Sequence, residues 1–111
     1  MIYGDGKQTR DFVHVSDVVC ANLLICEREE AIGQTLNLAS GRQVSLLALV
    51  DMLNDLLGAR ITPKFRAERQ GDIRHSVGSE ERMVALIGYR VQKSLREGLS
   101  QLITQTLITE V

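Results

Sequence analysis

A chain of 111 residues can bury one modest core, so it reads as a single domain, and a second would have to come from another chain. With 44% hydrophobic residues, 24% charged residues and a single proline, the composition excludes a disordered tail. A formal net charge of -1 excludes a global basic field of the kind that drives binding to nucleic acid or a membrane surface, so any anion has to be met locally by the ten arginines, which outnumber three lysines.

Taken in chain order, the segment from Gly4 to Lys7 is turn-forming. Asp11 to Val15 alternates aromatic and β-branched residues and predicts a short strand. Ser16 offers an N-cap, apolar residues then recur at helical spacing from Asp17 to about Glu29, and Gly33 closes the segment. Thr35 to Ala39 predicts a second strand. Ser45 caps a second helix that carries Leu46, Leu49, Val50, Leu53 and Leu57 on one face before Gly58. Ile61 to Phe65 predicts a third strand, placed at an edge or a strand end by Pro63. After a polar loop, residues 79–81 start a short helix ended by Gly88. Ser94 and Glu97 form a capping-box pattern for a last helix, with Glu110 and Val111 as its tail. The expected fold is α/β: a small, partly parallel sheet of about three short strands with about four helices.

Catalysis needs a nucleophile, a tuned acid or base, a metal or a cofactor. His14 reads as a packed side chain with a satisfied nitrogen, and His75 has no second ligand at metal spacing. Cys20 and Cys26, six apart on one helix, match no metal or redox motif. Tyr3 with Lys7 and Tyr89 with Lys93 fit the Tyr-x-x-x-Lys pattern in which a lysine lowers a tyrosine pKa, but both runs contain or follow turn-forming glycines, where the two side chains cannot share a helix face. No Gly-x-Gly-x-x-Gly turn joins a strand to a helix, so the backbone amides that cradle a dinucleotide pyrophosphate are missing. Two polar loops remain, Thr9-Arg10-Asp11 and Glu68 to Arg74. Arginines at two loop mouths can converge on a diphosphate, and an aspartate three residues beyond one of them can accept from ribose hydroxyls. No apolar run reaches the roughly 20 residues that span a bilayer, and the amino terminus has no basic region followed by a long apolar stretch, so the cytoplasm is the expected compartment.

The run from Tyr3 to Val18, YGDGKQTRDFVHVSDV, closely resembles the signature of the NAD-dependent epimerase/dehydratase family, the extended short-chain dehydrogenases/reductases whose type members act on sugar nucleotides such as UDP-glucose. The likeness continues in family order through Leu36 to Gly41, Arg69 to Arg74, Gly88-Tyr89 and the helix start at Ser94. It implies that Arg10 and Arg69 contact the diphosphate of a nucleoside-diphosphate sugar and that Asp72 contacts its ribose. Arg74 is a weaker candidate, and Asp17 resembles the family's helix-start aspartate, read here as a cap. The family's glycine-rich cofactor loop, its catalytic tyrosine and lysine and their companion serine or threonine all lie upstream of the matched region. The resemblance therefore implies a carboxy-terminal substrate-binding portion spanning residues 1–111, with no catalytic, cofactor-binding or metal-binding residue of its own.

Its expected partners are a nucleoside-diphosphate sugar, an amino-terminal Rossmann domain that holds NAD in the full-length parent, and a second copy in a homodimer. A structural or dimerisation module that has lost its cofactor domain is the alternative. Affinity for UDP separates the two readings.

Overall fold

The computed structural model describes residues 1–109; the tail expected at Glu110 and Val111 lies outside the described residues. The α/β class, four α-helices and partly parallel strand pairing all stand, but the strands fall into two two-stranded pairs of two residues each. The chain gathers into two compact units: Met1–Arg10 with Gln43–Val77, and Asp11–Arg42 with the chain from Gly78 on.

In the first unit, β1 (Ile2–Tyr3) runs parallel to β4 (Phe65–Arg66), and β2 (Thr9–Arg10) runs antiparallel to β3 (Val44–Ser45). Helix α2 (Leu46–Leu57) follows β3 directly, with the Ser45 hydroxyl accepting from the Ala48 N–H at 3.1 Å and Gly58 in the left-handed region closing the other end. Its first turn leaves backbone donors free. The Gly6 and Gln8 carbonyls take two of them, from Leu47 at 3.0 Å and Leu46 at 3.1 Å. Gly6 is required there: its φ is +77°, and a Cβ would stand 2.8 Å from Leu47 Cγ and 2.9 Å from Leu47 Cδ2.

The second unit holds α1 (Val15–Glu27), a single 3-10 turn at Glu29–Ala31, α3 (Glu81–Ile87) and α4 (Leu95–Thr109). Its core joins Ala21, Met83, Ile87 and Tyr89, with Leu24, Ile25, Leu36 and Leu38 packed around them. Met83 and Ile87 are almost wholly buried, each worth about 1.5–3 kcal/mol in apolar transfer. At α4 the Ser94 half of the capping box forms: the Ser94 hydroxyl accepts from the Glu97 N–H at 3.1 Å, and it donates to the Glu97 carboxylate at 3.0 Å.

Several expectations need correction. Asp11 to His14 is not a strand; pairing stops at Arg10, and the Asp11 carboxylate binds the Ser40 and Gly41 N–H groups at 3.1 and 3.0 Å, the Gly78 N–H at 3.3 Å and the Ser40 hydroxyl. Helix α1 begins at Val15 rather than Asp17, because His14 Nδ1, not Ser16, accepts the capping N–H, from Ser16 at 3.1 Å. It ends at Glu27, where Arg28 turns extended. Residues 35–38 keep the strand-like alternation, Leu36 and Leu38 half-buried and Asn37 exposed, until Ala39 breaks it by being buried, and residues 35–39 have no ladder partner among the described residues. The third strand begins only at Phe65, since Asn54 occupies both backbone groups of Ile61, at 2.9 and 3.1 Å, and Pro63 has no N–H to give.

Asp17 is not a cap either. It is buried and reaches out of α1 to accept from the Tyr89 hydroxyl at 2.5 Å and from the Gln92 and Lys93 N–H groups at 2.9 and 3.2 Å. Burial pushes the Tyr89 hydroxyl pKa up, and the Asp17 carboxylate beside it pushes it further. Asp17 itself moves the opposite way: burial would raise it, but the donors from Gln92, Tyr89 and Lys93 outweigh burial and lower it. Tyr89 thus serves as a structural donor in an irregular segment, and Lys93 bonds Gln101, which removes the second Tyr-x-x-x-Lys pair from catalysis.

Candidate functional site

All three candidate site residues lie in the first unit, Arg10 on β2 and Arg69 and Asp72 on the return from β4. That return is fixed at both ends. At the start, the Gly4 N–H donates to the Arg66 carbonyl at 2.9 Å. At the end, Thr9 is stitched to the chain around His75: its N–H donates to Arg74 O at 2.9 Å, its carbonyl accepts from Ser76 N–H at 3.1 Å, and its hydroxyl meets His75 Nδ1 at 2.8 Å. His75 is therefore a loop tie. Between these anchors the Asp72 N–H donates to the Arg69 carbonyl at 3.3 Å, so Arg69 and Asp72 share one turn.

Arg69 is exposed, and its guanidinium carbon lies over the Tyr3 ring at 3.8 Å from the centroid, a cation–π contact. Arg10 is half-buried, and its Nη1 donates to the Thr9 carbonyl at 2.7 Å, which occupies one of five donors. Arg74 makes a two-pronged ion pair with Asp5, at 2.9 and 3.0 Å. The hydrogen bond from Arg74, then that from the Lys7 N–H, lowers the Asp5 pKa from 3.8 to about 2. Lys7 belongs to this turn and Tyr3 to β1, so the first Tyr-x-x-x-Lys pair is not on a helix.

The structure also brings in residues that sequence reading passed over. Gln8 is buried, and its carboxamide Nε2 donates to the Tyr3 carbonyl at 2.8 Å. Tyr3, Gly4, Gln8, Glu68, Asp72 and Arg74 line one small recess with a cavity of about 10 Å³, the room of about one water molecule. Gln8 stood inside the sequence signature, but burial is a tertiary property that no local spacing signals. Chemically the site offers guanidinium donors beside carboxylate and carboxamide acceptors. Among the described residues no group of three His, Cys, Asp or Glu side chains is placed to hold a metal ion, and no helix is long and apolar enough to cross a membrane.

A model of the NAD dependent epimerase/dehydratase family matches residues 1–39. The UDP-glucose 4-epimerase of Mycolicibacterium smegmatis is 34% identical over 100 residues, which cover 90% of this chain and 32% of that protein. Among solved structures, MoeE5 in complex with UDP-glucose and NAD aligns with a TM-score of 0.89 and 34% identity, over 99% of this chain and 37% of that one. The UDP-glucose 4-epimerase of Thermotoga maritima with UDP-glucose aligns with a TM-score of 0.84 and 33% identity, over 96% and 35% respectively. The chain spans about a third of the length of the relatives it matches, in their carboxy-terminal part.

Proposed function

Because the chain belongs to the NAD-dependent epimerase/dehydratase family and corresponds to the carboxy-terminal third of its UDP-glucose 4-epimerase-like members, we propose that it forms the sugar-nucleotide side of such an enzyme. The observation that carries this reading is the alignment of 99% of the chain, at a TM-score of 0.89, with MoeE5 holding UDP-glucose and NAD. In this reading Arg10 and Arg69 bind the diphosphate and Asp72 accepts from the ribose. Arg69 suits that role because its cation–π contact with Tyr3 holds the guanidinium in place before ligand arrives, which lowers the ordering cost of a phosphate contact. Arg74 is held by Asp5 and acts on the loop rather than on the ligand.

Hydride chemistry would come from NAD, held by the Rossmann portion of a complete enzyme. The residues here bind and orient the nucleotide and move no proton. Catalysis by this chain alone is not expected.

A second reading has its own support in the second unit. Val15, Val19 and Leu23 follow one another at i+4 along α1 and are 66%, 51% and 64% exposed, an apolar row suited to packing on another body. A dimerisation module would use it without any need for nucleotide.

Calorimetric titration with UDP separates the readings. Wild-type binding that weakens about tenfold or more in Arg10→Ala and in Arg69→Ala, as the loss of a charged hydrogen bond implies, supports the half-site. A folded sample that gives no heat, while light scattering reports a dimer, overturns it in favour of the module.

A further inference from the structure

Residues 66–75 are exposed one after another, so the chain that carries Arg69 and Asp72 is held by polar ties and not by a core. The Gly4 N–H holds it at Arg66, the Tyr3 ring meets Arg69, and Asp5 takes Arg74. The remaining ties gather on one residue. Thr9 gives its N–H to the Arg74 carbonyl, accepts the Ser76 N–H on its own carbonyl and meets His75 Nδ1 with its hydroxyl at 2.8 Å, so its N–H, carbonyl and hydroxyl all face residues 74–76. The same Thr9 carbonyl also accepts from Arg10 Nη1 at 2.7 Å. Thr9 is thus the point at which Arg10 and the loop of Arg69 and Asp72 are joined.

The two backbone bonds place no demand on the side chain at position 75, because they belong to the main chain of Thr9, Arg74 and Ser76. The third bond does: it needs a hydroxyl at position 9 and a polar atom on Cγ at position 75. Exposed backbone bonds open and close locally, and a side-chain bond across the same point resists that opening. We propose that His75 is a positioning residue of the half-site: through Thr9 it holds the loop of Arg69 and Asp72 in register with Arg10, so that both arginines are set before a diphosphate arrives. His75 acts through Thr9 and touches no ligand. Setting the two arms beforehand lowers the ordering cost of binding. The ligand rests on the sugar-nucleotide reading given above; the tie does not.

UDP is titrated into the wild type, Thr9→Val, Thr9→Ser, His75→Ala, His75→Asn and the Thr9→Val/His75→Ala double variant, and exchange of the Thr9, Asp72 and Ser76 amide hydrogens is followed in the same proteins without ligand. Valine keeps the shape of threonine without its hydroxyl, and serine keeps the hydroxyl. Asparagine, like histidine, bears its polar atoms on Cγ, and its amide pairs with a hydroxyl as donor or as acceptor. UDP should weaken about fivefold in Thr9→Val and in His75→Ala, the worth of one ordinary hydrogen bond, and no further in the double variant. His75→Asn and Thr9→Ser should bind within about twofold of the wild type. Unchanged affinity in the single variants, losses that multiply in the double variant, or a His75→Asn protein as weak as His75→Ala overturns the proposal and leaves the half-site standing. If the wild type does not bind UDP, the sugar-nucleotide reading fails by itself and the amide hydrogens decide. Exchange about fivefold faster in Thr9→Val and His75→Ala, and at the wild-type rate in His75→Asn, upholds the tie as what orders this loop. Unchanged rates overturn it. His75→Ala against His75→Asn decides alone should a Thr9 variant fail to fold, and Thr9→Val against Thr9→Ser should a His75 variant fail.

Discussion

At the scale of single residues, three aspartates show how the same side chain is put to different uses by its donors. Asp11 and Asp17 gather backbone N–H groups from distant parts of the second unit, while Asp5 takes an arginine fork on the surface of the first. For Asp5 the sign is simple. Its folded pKa of about 2 lies below the ordinary 3.8, so the pair's contribution is fully present above about pH 4 and is lost as pH falls through 2. A carbon-detected NMR titration should place the Asp5 carboxyl near 2, and Arg74→Ala should return it toward 3.8; an unchanged midpoint in the variant would remove the ion pair from the site's description. Arg69 and Asp72 sit three apart in one loop, and that short spacing is what lets them share a turn. What Asp17 does was not legible, since its partners lie more than 70 residues away and nothing in a helix-start aspartate distinguishes a cap from a long-range clamp.

Elements divide along the same line between local and distant causes. Helices α2, α3 and α4 were readable nearly to the residue, because Ser45, Gly58, Gly88, Ser94 and Glu97 are local signals that act within one turn. The strands were not. A two-residue strand is defined by its partner, and the partners, Phe65 for Ile2 and Ser45 for Thr9, lie far along the chain. The α1 start was displaced for a different reason: an imidazole nitrogen did the work usually given to a hydroxyl or carboxylate. The turn at Gly6 links the two scales, since it positions β1 and β2 and satisfies the start of α2 at once. Gly6→Ala should destabilise the chain by about 2–3 kcal/mol, from a strained positive φ and a collision with Leu47, and urea denaturation will measure it. A change under about 0.5 kcal/mol would mean that this turn is loosely held in solution.

For the whole molecule, the proposed sugar-nucleotide half-site lies within the first unit, and the second unit carries the exposed apolar row on α1. The family was legible from ordered motifs spread over nearly the whole chain, and the comparisons bear it out. Burial was not legible: nothing in the local sequence marks Gln8 as buried. The most direct measurement is a heteronuclear NMR map of the uniformly labelled chain with UDP-glucose. Shifts concentrated in residues 3–10 and 66–76, with α1 and α4 unmoved, are the result this account predicts. No shifts in a folded sample, or shifts confined to α1 and α4, would contradict a sugar-nucleotide site in the first unit.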